Sequence, residues 1–266
     1  MPSSHPLLVQ LARVWRLSGR WLPNGWLDAI RQLALFAGAY YLYRIVRGIV
    51  DGQAGLAFEN ARHLVDAERT LGLFFEPHLQ AWVEGQEWLI TFCSWMYVNS
   101  HFVVTTFALA FLYLRRNEHF YFVRNMFMVA MGIALVSYFL FPTAPPRLMP
   151  ELGFSDSVAD FTGVGADTSG ALVNPYAAVP SMHVAFALML ALPMARSARH
   201  GVVRALWLVY PALVTFVVVA TANHWWFDAF LGGATAAVSA LAAQALLARA
   251  RPDAWAWDPA PRPARA

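Results

Sequence analysis

Residues 202–222 run Val-Val-Arg-Ala-Leu-Trp-Leu-Val-Tyr-Pro-Ala-Leu-Val-Thr-Phe-Val-Val-Val-Ala-Thr-Ala, with Arg204 as their one charge. An apolar run of this length matches the ~20 residues with which a helix crosses the hydrocarbon core of a bilayer. Lipid offers no hydrogen bonds, so such a run must satisfy its backbone within itself, and a helix does so. Comparable runs recur at approximately 29–49, 89–114, 120–141, 180–195 and 226–248. The sequence therefore predicts an all-α polytopic membrane protein with six transmembrane helices. Composition agrees, since charged residues make up only 13% against roughly 25% in soluble domains. Every basic side chain apart from histidine is an arginine, and the net charge of +3 is too small to argue for a nucleic-acid partner. Cys93 is the single cysteine, which excludes an internal disulfide and a cysteine metal cluster.

The arginines set the orientation. Arg13, Arg16 and Arg20 precede the first run, which has no small-residue cleavage site after it and reads as a retained span. Arg115 and Arg116 fall in the short link after the second span, Arg196, Arg199 and Arg204 follow the fourth, and further arginines fill the C-terminal tail. Arginine-rich connections face the cytoplasm, so both termini are expected inside a bacterial-type plasma membrane. This divides the chain into a cytoplasmic segment 1–28, a membrane domain 29–249 and a disordered cytoplasmic tail 250–266. Outside lie the segment 51–87, read as an interfacial amphipathic helix with Leu56, Phe58, Leu64, Leu71, Leu73 and Phe74 on its apolar side, and the loop 142–179, rich in Pro, Gly, Ser and Asp. In the former, Glu68 and Arg69 read as a solvated face. Arg44 and Arg47 lie toward the outer end of the first span, where snorkelling to headgroups and binding of an anionic substrate are both open. Arg124, near the inner end of the third span, reads as a snorkelling anchor.

Three separated segments then meet at the outer face. In Ala222-Asn223-His224-Trp225-Trp226-Phe227-Asp228, His224 and Asp228 are spaced i and i+4, so on a helix the carboxylate holds the imidazole through its ring N–H. That arrangement makes a histidine an oriented nucleophile or base. Pro180-Ser181-Met182-His183 opens the fourth span, with proline suited to a first helical turn and Ser181 to an N-cap. A helix N-terminus is an anion site, and His183 stands there to protonate an oxygen leaving phosphorus. Phe141-Pro142-Thr143-Ala144-Pro145-Pro146-Arg147 ends the third span in a stiff turn that aims Arg147, whose planar fork grips phosphoryl oxygens. Asn174 and Tyr176 precede the second motif and are candidates for lining a headgroup site. A cation, a helix end, a braced histidine and a second histidine suit phosphoryl transfer on a lipid-linked phosphate without a cofactor or metal. The alternative, a metal held by two histidines and an aspartate, lacks a glutamate base or further histidine at a standard spacing.

From about Asn60 to Gly233 the chain resembles the type 2 phosphatidic acid phosphatase (PAP2) superfamily, in particular its branch similar to inositol phosphorylceramide synthases. The motif residues are Arg147 in Pro145-Pro146-Arg147, the Pro180–His183 run, and His224 with Asp228. The resemblance implies a six-span enzyme in which His224 attacks phosphorus, Asp228 orients it, His183 protonates the leaving group, and Arg147 and the Ser181 helix start hold the phosphoryl oxygens. Some positions depart from the superfamily pattern: Leu140 stands where a lysine is expected, Leu148 where a proline is, Met182 where a glycine is, and Val217-Val218 where a Ser-Arg pair is. Fewer cations fit a phosphodiester or transferase substrate better than a dianionic monoester. A polyol acceptor would make the enzyme an inositolphosphotransferase-like transferase, and water would make it a phosphatase. A transporter or structural protein with a degenerate site is the reading from a different class.

Overall fold

The computed structural model describes residues 19, 22–50, 52–163 and 176–261, leaving aside the side chains of 47–50 and 101. Most of the segment 1–28, the Arg47 side chain and Asn174 thus lie outside the described residues. Within them the chain is helical, with no strand and a single isolated bridge between Thr143 and Ala177. The helices are α1 (Gly25–Val50), α2 (Ala54–Thr70), α3 (Glu76–Glu84), α4 (Glu87–Arg115), α5 (Asn117–Leu140), α6 (Ser157–Thr162), α7 (Met182–Ser197), α8 (Gly201–Ala220), α9 (Trp226–Ala245) and α10 (Pro252–Trp255).

Three helices among the described residues are long and apolar enough to cross a membrane: α5, α8, and α9 continued to Arg249. The two halves of α4, bent by 44°, make a fourth if counted as one span. The two remaining apolar runs differ for identifiable reasons. The first lies in α1, where Asp28, Arg31, Arg44 and Arg47 load both ends with charge. The other is α7, whose 16 residues extend about 24 Å at 1.5 Å per residue, short of the ~30 Å hydrocarbon core. Large apolar side chains face outward along these helices, among them Phe102, Phe107, Leu140, Val202, Leu206 and Leu241. A water-soluble domain would bury them, and a lipid surface accepts them. The chain is an integral membrane protein.

The core sits between α5, α7 and α9, which pack on one another. Phe127 of α5 stacks on Phe186 of α7 with ring centroids 4.3 Å apart. Small residues line the α9 face, including Ala229, Gly232, Ala236 and Ala243, and let backbones approach closely. At Gly232 the approach is so close that a Cβ would fall well inside contact distance of the Ser181 carbonyl oxygen.

The segments 52–87 and 142–163 and the tail carry structure that the sequence reading did not give them. Segment 52–87 is a pair of helices: Leu56 and, just past α2, Leu71 are exposed, while Ala57, Asn60, Ala61, Val65 and Glu68 are buried with Leu64. Glu68 is therefore no solvated residue. Asn60 donates to the Pro142 carbonyl at 2.8 Å, and Ala144 N–H to the Ala57 carbonyl at 3.0 Å, which ties α2 to the end of α5. The loop after α5 is compact, with Met149 fully buried and α6 capped by Asp156. The tail is not disordered through residue 261: Trp255 and Trp257 pack against the core, and the Arg124 guanidinium lies 4.9 Å from the Trp255 ring. Arg124 is accordingly buried and bonded to Gln32 and Asn125, so it is no snorkelling anchor.

Candidate active site

The helix α8 ends at Ala220, and the chain turns at Ala222, whose φ of 52° is left-handed. For a residue with a Cβ that conformation is strained, and surrounding bonds must hold it. They do: Asn223 and His224 both donate their N–H to the Val218 carbonyl, at 3.0 and 3.1 Å, and the Ala222 carbonyl accepts from Arg147 N–H at 2.8 Å. His224 therefore precedes α9, which starts at Trp226, and does not stand on it as the sequence spacing supposes. The i, i+4 pairing survives nonetheless, because Asp228 lies in the first turn of α9 and reaches back: His224 Nδ1 is 3.2 Å from Asp228 Oδ2 and 3.1 Å from the Ala178 carbonyl.

Both partners of Nδ1 are acceptors, so the hydrogen-bond network assigns the proton to Nδ1 and leaves a lone pair on Nε2. That nitrogen meets His183 Nδ1 at 3.2 Å, which must then be the donor. Tyr97 of α4 stacks on the His183 ring, 4.8 Å between centroids, and fixes its plane. The imidazole of His224 and the carboxylate of Asp228 are buried, at 5% and 0% exposure, so their bond is sheltered from water.

Arg147 lies in a 3-10 turn after Pro145, and its side chain is held from two sides. Nη1 donates to Asn223 Oδ1 at 2.8 Å and Nε lies 3.5 Å from Asp156 Oδ2. Asn223 thus links the cation to the turn that carries His224. Pro180 sits one residue before the cap of α7, not in its first turn, and Ser181 makes no side-chain cap bond. The Ser181 backbone N–H donates instead to the Asp228 carbonyl at 2.9 Å, and its hydroxyl is fully buried and unpartnered. What joins α7 to α9 here is backbone, which is why Gly232 must lack a side chain. Tyr176 packs its ring against Phe58, 6.3 Å between centroids, and its carbonyl accepts from Thr143 N–H at 2.8 Å. Asn174 lies outside the described residues.

The structure thus brings His224, Asp228, His183, Arg147 and Ser181 together from three segments. Sequence reasoning missed Asn223, Asp156 and Tyr97, whose only signal was proximity to a motif or a polar ring within a span. It also missed Glu68 and Glu76, whose carboxylates cap the first N–H groups of α9: Glu76 Oε1 accepts from Trp226 N–H at 3.1 Å and Glu68 Oε1 from Phe227 N–H at 3.1 Å. Burial, then the neighbouring Glu76, pushes the Glu68 carboxyl up to about 9. Among the described residues no group of three or more His, Cys, Asp or Glu side chains is arranged to hold a metal ion. The two imidazoles bond to each other, and one ring nitrogen of His224 is committed to Asp228.

An imidazole braced on one nitrogen and covered by a proton donor on the other, beside a held guanidinium and a helix N-terminus, has the parts for attack on phosphorus. No curated protein and no solved structure matches the chain. The family model described as the PAP2 superfamily matches residues 62–243, which include every one of these side chains. The chain belongs to the PAP2 superfamily of phosphatase and phosphotransferase membrane enzymes.

Proposed function

We propose that the protein crosses the membrane six times, with both termini in the cytoplasm, and cleaves a lipid-linked phosphate ester at the outer face through a covalent adduct on His224. Nε2 of His224 attacks phosphorus, and a P–N bond forms as the P–O bond to the lipid alcohol breaks. His183, entering as the imidazolium, gives its Nδ1 proton to that oxygen. In the second half an acceptor hydroxyl surrenders its proton to His183 and attacks phosphorus, and the P–N bond breaks to restore the Nε2 lone pair. Asp228 holds the His224 tautomer throughout, and Arg147 with the first turn of α7 carries the charge on the equatorial oxygens. The observation that carries this reading is the 3.2 Å contact between His183 Nδ1 and His224 Nε2, with Asp228 on the opposite ring nitrogen.

The acceptor is a polyol hydroxyl such as that of inositol, which makes the enzyme a transferase of the inositol phosphorylceramide synthase-like type. Leu140 and Val218 stand where the superfamily pattern has a lysine and an arginine, so two cations that would balance a phosphate dianion are missing. A phosphodiester donor needs less compensation. The test compares purified protein on phosphatidate and on phosphatidylinositol, with and without added inositol. Transfer of inositol phosphate from phosphatidylinositol to added inositol, with release of diacylglycerol, exceeding hydrolysis of phosphatidate supports the transferase. Phosphatidate turned over faster than any diester, with water as acceptor, overturns it in favour of a lipid phosphate phosphatase.

A further inference from the structure

Glu68 and Glu76 are buried to 1% and 0% exposure, yet neither is used by the chemistry above. Glu76 Oε1 accepts the N–H of Trp226 and Oε2 that of Phe75, while Glu68 Oε1 accepts the N–H of Phe227. Trp226 and Phe227 are the first two residues of α9, and Asp228 is the third. The first N–H groups of a helix find no intrahelical partner, and their positive end favours a carboxylate. From these contacts we propose that Glu68 and Glu76 are positioning residues for phosphoryl transfer. By capping the start of α9 they keep Asp228 on the far nitrogen of His224. The proposal rests on the reaction assigned above and adds to it a part supplied by the outer segment 51–87.

A pair of carboxyls here needs a proton. Oε2 of Glu68 is buried and faces no donor, so as an anion it would stand uncompensated beside Glu76 on α3 and Asp228 on α9. Carrying the proton, it no longer repels the Glu76 carboxylate. Its neighbour Arg69 offers no counter-charge, because that guanidinium lies over the Phe74 ring at 4.8 Å. His224 on the adjoining turn is committed to Asp228. Glu68 thus remains protonated at neutral pH, as its raised value of about 9 also requires.

Below about 4.5 the folded and unfolded chains both hold this proton, and between about 4.5 and about 9 only the folded chain does. Stability from this group is therefore full at low pH and is lost as pH rises to about 9. Glutamine copies the protonated carboxyl, with one acceptor and one donor edge, whereas alanine copies neither.

The experiment uses the full chain in detergent with Glu68→Ala, Glu68→Gln and Glu76→Gln. It reads kcat and KM on whichever of phosphatidate and phosphatidylinositol the wild type turns over faster, and the unfolding midpoint from pH 6 to 9. Glu68→Ala and Glu76→Gln are expected to lower kcat by about tenfold or more with KM nearly unchanged. Glu68→Gln restores kcat and flattens the decline of the midpoint with pH. Wild-type kcat in Glu76→Gln, or a midpoint that falls as steeply in Glu68→Gln as in the wild type, overturns the proposal. If the wild type turns over neither ester, the reaction assigned above fails, while the pH slope still tests the carboxyl pair.

Discussion

Nδ1 of His183 faces Nε2 of His224 at 3.2 Å across two segments 41 residues apart. In the resting protein the lone pair that would attack phosphorus is already covered by the N–H that would protonate the departing oxygen. A phosphoryl group entering between the two rings exchanges one hydrogen bond for a P–N bond on one side and a proton transfer on the other.

This relationship predicts a leaving-group effect. With His183→Ala, turnover of an alkyl phosphate ester should fall by about 10² to 10⁴, the usual worth of a general acid. An ester that expels p-nitrophenolate needs no proton, so its loss should be less than about tenfold. Paired kcat measurements on the two esters check this, and equal losses would contradict the acid role.

Arg147 depends on Asn223 for its aim, through the 2.8 Å bond to Nη1. Hydrogen bonds to a charged group are worth about 1.5–3 kcal/mol. Asn223→Ala should therefore lower kcat/KM by about ten- to a hundredfold without changing the unfolding midpoint by more than a few degrees. Steady-state kinetics beside a thermal melt separate the two.

Gly232 and Gly233 are neighbours with opposite expectations. A Cβ at Gly232 runs into the Ser181 carbonyl, which is backbone and cannot move without shifting the start of α7, whereas a Cβ at Gly233 meets only the Leu188 Cδ1 at 3.6 Å. Gly232→Ala should abolish activity and cost about 2 kcal/mol or more of stability. Gly233→Ala should leave both near wild type. Activity and melting of the two variants decide it.

The tail should act on stability alone. Trp257 stacks on His119 with centroids 5.4 Å apart and meets the Phe122 ring edge-on at 5.2 Å, at the end of α5 remote from His224. Trp257→Ala should cost about 2 kcal/mol, below the ~3–5 of a fully buried aromatic, and leave kcat unchanged. Unfolding by denaturant and steady-state turnover measure the two.

Much of this was legible in the residues. Apolar run length marks α4, α5, α8 and α9 because lipid imposes a single backbone solution. The motifs around Arg147, His183 and His224 mark the histidine pair and the cation by residue type and spacing. What escaped had physical causes. The helix break before Trp226 depends on Ala222 adopting a left-handed turn, and nothing in an alanine signals that. Glu68 sits on a helix whose charges suggested water on that side. Its partner is the Phe227 N–H, 159 residues away in the chain, and local pattern carries no trace of it. The aromatic tail reads as low-complexity Pro/Ala/Arg until Trp255 and Trp257 are seen against Arg124 and His119.

The covalent adduct is the most direct test. Wild-type protein mixed with its donor, quenched within milliseconds at alkaline pH and digested, should yield by mass spectrometry a phosphorus-bearing peptide modified on His224. The adduct should be stable to base and lost in acid. It should be absent from His224→Ala, which still folds. Steady turnover by that variant, or an adduct carried on any other residue, would contradict attack by His224.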